Sequence, residues 1–158
     1  MTNDEKRWEW EVVEEGVSGE QITVEITPES VESYADAVRN TNSRYYGAKE
    51  GDLAMPTNIF SDAKLRRHSV AEAAGFTALE KCINNPRQTP FAKCTARWFE
   101  AIKIGDKITS FASVLEKYDK RGNQFVTFRV HITNQNDIKV AEFDYTCIFK
   151  YAAGQKLS

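Results

Sequence analysis

The sequence contains no apolar run approaching the length of a membrane-spanning helix, and it carries almost no excess of charge. Its 21 Lys and Arg residues nearly balance 23 Asp and Glu residues, giving a formal net charge of −2. Proteins that bind nucleic acid or a membrane surface usually carry a basic patch, so neither partner is expected. The polar, acidic opening, Met-Thr-Asn-Asp-Glu-Lys, does not resemble a secretion signal. We therefore expect a cytoplasmic protein.

Cysteine and histidine are also scarce. The three cysteines, Cys82, Cys94 and Cys147, show no CxxC spacing, and we expect small buried hydrophobic residues in a reducing compartment. The two histidines, His68 and His131, lie far apart in the sequence and form no metal-ligand pattern. The sequence therefore predicts neither a metal site nor a cofactor.

The length and composition are those of one globular domain. The chain has 158 residues, of which 41% are hydrophobic, enough to bury a core without disulfides or metals. No repeat or linker divides it. We predict one domain over 1–158, with a core over about 21–151, preceded by a charged tail that contains Trp8 and Trp10.

The first half of the predicted core combines a strand with helices. Alternating apolar residues predict a strand over 21–26. Thr27 is a good helix cap and Pro28 fits the first helical position, and a second helical stretch begins at Pro56 and Thr57. The first helix carries one apolar stripe, which consists of Val31, Tyr34, Ala35 and Val38.

The second half alternates with period two, which is typical of antiparallel strands. Lys120-Arg121-Gly122-Asn123 predicts a hairpin turn. The predicted strands are 93–100, 107–117, 125–133 and a last one from about 141 to 149. Strands with one apolar face need a helix to cover them. We therefore expect an α+β hotdog fold, an antiparallel curved sheet wrapped around the helix with the Val31–Val38 stripe. An exposed sheet edge would pair with a second subunit.

Four segments resemble one known family. The run from Tyr34 to Tyr45 is similar to the signature of the MaoC-like dehydratase/hydratase family, in which an aromatic residue and an alanine on a helix precede Asp-x-Asn-Pro-x-His. Three further matches, in the right order, are Ala54-Met55-Pro56-Thr57, the strand end from Trp98 to Gly105-Asp106, and Val130 to Gln135. The resemblance covers about 21–151 and is greatest to the FAS1-like, or N-terminal, dehydratase-domain branch.

Two departures from this signature concern the reaction itself. Hydration of an enoyl thioester needs one group that takes a proton from water and another that donates a proton to the α-carbon. In the family's pattern these groups are the Asp and the His, but this chain has Asn40 and Tyr45 there. An amide does not titrate, and a phenol with a pKa of about 10 is a poor base at neutral pH. The resemblance therefore implies the shape of the site without catalytic residues.

The resemblance also implies a set of substrate-binding residues, namely Asn40, Asn42, Tyr45, Met55 and Thr57. Simpler structural roles remain open for several of them. The two asparagines follow a helix end, where Asn is favoured for backbone reasons, and Tyr45 can close the core or line a subunit interface. Because Pro56 has no N–H, a backbone donor to a thioester carbonyl at this turn must come from Met55 or Thr57.

Five other residues have alternative roles. Arg66-Arg67-His68 can meet the phosphates of coenzyme A or form a solvated helix end. We interpret His131 as a surface or interface residue. Asp36 and His68 are possible relocated catalytic groups, although the sequence places no acid near His68.

The leading hypothesis is a non-catalytic hotdog subunit of a heteromeric enoyl-CoA hydratase or dehydratase in fatty acid or steroid metabolism. A related hotdog partner supplies Asp and His, and this chain shapes the tunnel for a coenzyme A or acyl-carrier thioester with a long-chain or polycyclic acyl group. One alternative is a stand-alone acyl-thioester binding module. The other is an independent hydratase or thioesterase that relies on Asp36, Tyr45 or His68.

Overall fold

The computed structural model describes residues 5–153, with the side chains of residues 62–66 left out of the description. Within this part of the chain, five strands and two α-helices are joined by loops and short 3-10 helices. The elements are β1 (Ile22–Glu25), α1 (Pro28–Ala37), α2 (Ala63–Ala73), β2 (Phe91–Trp98), β3 (Lys107–Lys120), β4 (Asn123–Thr133) and β5 (Lys139–Lys150). The 3-10 helices are Trp10–Val12, Ser43–Tyr45, Pro56–Asp62 and Leu79–Lys81.

The strands form one antiparallel sheet in the order β1-β3-β4-β5-β2. The β3–β4 hairpin turns at Arg121 and Gly122, whose φ angles of 55° and 82° match the type I′ turn favoured between twisted strands. The long β3–β4–β5 meander and the α+β class are as predicted. Strands β1 and β2 occupy the two edges, and β2 is exposed along most of its length.

One face of the sheet forms the core. Val126, Phe128, Val130 and Ile132 of β4 are all buried, as their alternation predicted. The opposite face is polar but closely paired, because Thr127 bonds Thr146 (Oγ1–Oγ1 2.8 Å). His131 lies on this opposite face, where its Nε2 is 3.2 Å from Ser113 Oγ. Cross-strand polar pairs of this kind stabilise a sheet surface.

The prediction that α1 covers the sheet is corrected by the structure. Thr27 and Ser30 form the capping box of α1, and Val31 and Ala35 are buried, but Val38 is 47% exposed. The helix that approaches β3 and β4 is α2, whose Val70 and Ala71 are completely buried. Charged residues interrupt the apolar pattern of α2, so its contact face is not evident from the sequence. Neither described helix is long and apolar enough to span a bilayer.

The segment expected to be a charged tail belongs to the core. Trp8 is only 2% exposed, and its ring packs against Phe128 and Phe149 with centroid distances of 5.9 and 5.8 Å. Val13 is buried as well. The apolar face of the strands that α2 does not contact must be shielded from water. The large aromatic ring of Trp8 shields it. The core therefore begins well before residue 21.

The cysteine prediction holds for two of the three residues. Cys82 and Cys147 are buried, whereas Cys94 is exposed. The difference follows from position, since Cys94 lies on the edge strand β2 and Cys147 lies on β5 inside the sheet.

Replacing the buried ring tests the role of the first segment. We predict that Trp8→Ala lowers the free energy of unfolding by about 3–5 kcal/mol, the usual loss for a large aromatic side chain removed from a core. Trp10→Ala is the matched control: Trp10 is only partly buried and should lose clearly less. Urea unfolding measures both variants. Equal losses would show that Trp8 is no part of the core.

Candidate functional site

A pocket of about 450 Å³ lies beside the loop that follows α1. We call it the Tyr45 pocket, and among its lining residues are Tyr45, Ala54, Pro56, Trp98, Phe99 and Ile102. The indole N–H of Trp98 donates to the Pro56 carbonyl oxygen (3.0 Å), which joins the end of β2 to the start of the 3-10 helix Pro56–Asp62. The volume falls in the range of small-molecule sites, and the walls are mostly apolar, as such sites require.

The two asparagines at the pocket's loop shape the backbone. Asn40 Oδ1 accepts a hydrogen bond from the Asn42 N–H (3.0 Å), and Asn42 Oδ1 accepts one from the Arg44 N–H (3.1 Å). Such side-chain bonds to nearby backbone are typical of Asn after a helix. The Asn40 amide nitrogen reaches Met55 Sδ at 4.0 Å. Both side-chain oxygens therefore bind backbone N–H groups of the loop, which is the structural role considered for these residues in the sequence.

The remaining sequence-predicted residues lie around the same loop. Tyr45 is 9% exposed and contributes to the pocket wall, and Met55 is buried beside Asn40. Thr57 is exposed, and its carbonyl oxygen accepts a hydrogen bond from the Tyr34 hydroxyl (2.8 Å). The structure thus places Asn40 next to Met55, and it places Tyr45 in the pocket wall. Thr57 lies on the 3-10 helix Pro56–Asp62. Their role in binding substrate stays a prediction.

Asp36, considered as a relocated catalytic acid, has a hydrogen-bond partner. The Tyr46 hydroxyl donates to Asp36 Oδ1 (2.8 Å) and lies 3.0 Å from the Asn40 carbonyl oxygen. This bond to a carboxylate raises the pKa of Tyr46 and keeps its phenol protonated at neutral pH. Asp36 and Tyr46 therefore connect α1 to the loop that follows it.

Sequence reasoning missed two charged residues of the Tyr45 pocket, Arg44 and Glu100. Both are exposed, and the Arg44 guanidinium lies over the Tyr45 ring at 5.9 Å from its centroid. Glu100 is the only carboxylate, and no imidazole is found, among the pocket's described lining residues. The one sequence signal for the part of the pocket that includes Glu100 was the aromatic pair Trp98-Phe99 at the end of a predicted strand.

The Arg66–His68 segment is not a solvated helix end. Residues 66–68 lie within α2; the side chain of Arg66 falls outside the description, but Arg67 and His68 are largely buried. Arg67 Nη2 pairs with Glu80 Oε1 at 2.7 Å, and Arg67 Nη1 donates to the Thr89 carbonyl oxygen at 3.2 Å. A guanidinium paired in this way is not available to the phosphates of coenzyme A.

Glu80 is the centre of this buried network. Its side chain is 10% exposed, accepts a hydrogen bond from the Thr89 hydroxyl and lies 3.6 Å from His68 Nε2. Burial alone would raise the pKa of Glu80, but His68, Thr89 and Arg67 outweigh it and lower the pKa to about 2. Among the described residues, neither ring nitrogen of His68 has a hydrogen-bond partner, and both are buried. An acid and an imidazole do meet here, but neither of them lines the Tyr45 pocket.

The family comparison agrees with the resemblance. The model of the FAS1-like dehydratase domain region matches residues 14–143, which is most of the chain. This chain therefore belongs to the FAS1-like dehydratase family of MaoC-like hotdog proteins. No curated protein sequence matches it significantly.

Solved structures of two hydratases and a dehydratase share the fold. An R-hydratase from Pseudomonas aeruginosa is 17% identical with a TM-score of 0.63, over 98% of this chain and 97% of that one. An (R)-hydratase from A. caviae is 11% identical with a TM-score of 0.63, over 88% and 98%. The 3R-hydroxyacyl-ACP dehydratase complex HadBC from Mycobacterium tuberculosis is 13% identical with a TM-score of 0.60, over 86% and 99%. At such identities the likeness establishes the fold, and the predicted hotdog fold is confirmed.

The low pKa of Glu80 generates a prediction on stability. Because this pKa is depressed from 4.5 to about 2 in the folded protein, the carboxylate stabilises the fold fully above about pH 4.5 and loses that effect as the pH falls toward 2. We predict that Glu80→Gln lowers the free energy of unfolding by about 3–5 kcal/mol at pH 7, since it leaves Arg67 buried and without its counterion. The gap to the unsubstituted protein should shrink below pH 4.5.

Urea unfolding between pH 7 and pH 3 measures this gap. Glu72→Gln is the matched control, because Glu72 forms a 3.6 Å pair with Lys81 on the exposed surface and should change stability little. A gap between Glu80→Gln and the unsubstituted protein that stays constant with pH would contradict the account.

Proposed function

We propose that this chain is a non-catalytic hotdog subunit of a heteromeric enoyl-CoA hydratase or dehydratase. Its partner, a related hotdog subunit with the Asp and His of the family signature, carries out the proton transfers. The present chain contributes part of the acyl-thioester tunnel through the Tyr45 pocket. The observation that carries the proposal is the chemistry of that pocket, whose described lining offers one exposed carboxylate and no imidazole.

The residues at the two signature positions support the loss of catalysis. Asn40 uses its side-chain oxygen to hold the loop, and the Tyr45 side chain is buried in the pocket wall. An amide and a phenol provide neither the carboxylate nor the imidazole that such acid–base catalysis uses. Glu100 alone does not supply the pair of a carboxylate and an imidazole on which the family's pattern relies.

The exposed sheet edge supports a partner subunit. Strand β2 is eight residues long, lies at the edge and is exposed at seven of its eight positions. Phe91 at its start is 63% exposed, and Trp98 and Phe99 at its end are also exposed. A long, exposed, partly apolar edge is a template for pairing with another strand. The hydroxyacyl dehydratase neighbour from Mycobacterium tuberculosis is described as a complex, which fits a heteromeric assembly.

The ligand that suits the pocket is an acyl thioester of coenzyme A. The apolar walls accept hydrocarbon, and the exposed Arg44 beside Tyr45 offers a guanidinium to a phosphate. Arg44 thus offers the contact to a coenzyme A phosphate that the paired Arg67 cannot make. Coenzyme A here is the carrier of the substrate, and we propose a cytoplasmic setting and no separate cofactor.

Enzyme assays test the division of labour. We predict that the purified chain alone does not hydrate crotonyl-CoA above the uncatalysed rate, because it lacks an acid–base pair at the pocket. Co-expression with a hotdog protein that has the intact Asp-x-Asn-Pro-x-His run should yield a complex with hydratase activity. Glu100→Gln in this chain should leave the activity of that complex within about twofold. Robust hydration by the isolated chain, abolished by Glu100→Gln, would overturn the proposal.

Binding assays test the carrier. We predict that Arg44→Ala weakens binding of butanoyl-CoA about tenfold, the loss expected for one charge-assisted contact to phosphate. Binding of butanoyl-N-acetylcysteamine, which has no phosphate, should not change. Calorimetry measures both ligands, and Lys81→Ala, an exposed cation on another part of the surface, serves as the control. Equal losses for the two ligands would exclude a phosphate contact at Arg44.

A further inference from the structure

A second and larger pocket lies on the other side of Trp98. It has a volume of about 560 Å³, and we call it the Phe60 pocket. Its walls include Phe60, Arg67, Pro90, Phe91, Phe143 and Tyr145. Four aromatic rings make it apolar, and its one charged group, Arg67, is already neutralised by Glu80. Such a pocket suits an uncharged hydrocarbon group rather than a phosphate or carboxylate.

The two pockets are separated by two aromatic rings in contact. Phe60 lines the Phe60 pocket and Trp98 lines the Tyr45 pocket, and the rings meet edge to face with a centroid distance of 6.2 Å. Phe60 also contacts Phe143, with a centroid distance of 5.1 Å. The wall between the pockets therefore depends on the ring of Phe60.

A small inner cavity of about 40 Å³ connects the linings of both pockets. It shares Ile102 with the Tyr45 pocket and Phe143 with the Phe60 pocket. Asn58, Ile59 and Ser61 of the 3-10 helix Pro56–Asp62 also line this cavity. Its volume holds no more than a few water molecules, so this cavity is too small for an acyl chain.

The segment that carries Phe60 is suited to such movement. The 3-10 helix Pro56–Asp62 spans seven residues, longer than the three or four that this geometry usually sustains, and long 3-10 stretches often mark hinges. Its start is held by the bond from Trp98 to the Pro56 carbonyl, while the described contacts of the Phe60 side chain are apolar, with Trp98, Phe143 and the neighbouring core. Side-chain contacts of this kind are individually weak.

We propose that the distal part of a long acyl group passes the Phe60–Trp98 contact into the Phe60 pocket, and that Phe60 determines which acyl lengths bind. This inference rests on the proposed function, since it assumes that the thioester occupies the Tyr45 pocket. A short acyl group then fills the Tyr45 pocket alone. A long apolar group gains the additional burial offered by the four aromatic rings.

Calorimetric titration of the full chain with butanoyl-CoA and dodecanoyl-CoA tests the inference. Phe60→Ala removes the separating ring and should tighten dodecanoyl-CoA binding at least fivefold, with butanoyl-CoA unchanged within twofold. Phe60→Trp enlarges the ring and should weaken dodecanoyl-CoA binding at least fivefold, again without effect on butanoyl-CoA. Phe99→Ala is the matched control, because Phe99 lines only the Tyr45 pocket and should affect both ligands equally. Circular dichroism checks that each variant is folded.

The outcomes separate this inference from the function on which it rests. If butanoyl-CoA binds and neither Phe60 variant changes the ratio of the two affinities, the Phe60 pocket is no acyl site and the proposed function survives. If neither thioester binds to the unsubstituted chain, the proposed function and the inference both fail. Opposite shifts of the affinity ratio in the two Phe60 variants support the acyl path.

Discussion

One buried carboxylate, Glu80, joins two of the segments that form the Phe60 pocket. Through Arg67 it fixes α2, and through Thr89 it fixes the chain just before the edge strand β2. Arg67 in turn contacts Cys147 of β5 with Nη1–Sγ 3.4 Å, so a single network ties the helix to the sheet. Breaking such a buried pair leaves the remaining charge in apolar surroundings without a partner. This lowers the free energy of unfolding far more than the loss of a surface pair does. The position of the 3-10 helix before α2, and hence of Phe60, follows from it.

This network also explains why the acid and the imidazole of this chain do not amount to a catalytic pair. Glu80 is held as a carboxylate by its neighbours, with a pKa of about 2, and a base of that strength is a poor proton acceptor at neutral pH. His68 is buried against it. Meanwhile the loop after α1, where the family signature has its acid and imidazole, carries Asn40 and Tyr45. The chain thus has a ligand-sized pocket, while Glu80 and Arg67 pair with each other inside the fold.

Local signals in the sequence predicted most strands of the sheet but not the segments that pack on its apolar face. Period-two alternation predicted β3, β4 and β5, and Gly122 predicted the hairpin, because these features depend on neighbouring residues alone. The packing of those segments on the sheet depends on contacts between distant parts of the sequence. Trp8 reaches Phe128 across 120 residues of sequence, and the contact face of α2 lies among charged residues, of which Arg67 is paired with Glu80 inside the fold. For the site, the signature drew attention to the loop of Asn40 and Tyr45, of which Tyr45 lines a pocket. It gave no indication of Glu100 or of the second pocket, whose rings come from separate elements.

A crystal structure of this chain with a bound, unreactive analogue of a 2-enoyl-CoA tests the central claim most directly. The account predicts that the thioester lies in the Tyr45 pocket beside the loop of Asn40. No carboxylate and imidazole of this chain should lie together within hydrogen-bonding reach of the double bond. Finding Glu100 or Asp36 there, paired across the double bond with His68, would contradict the account and identify the chain as a hydratase in its own right.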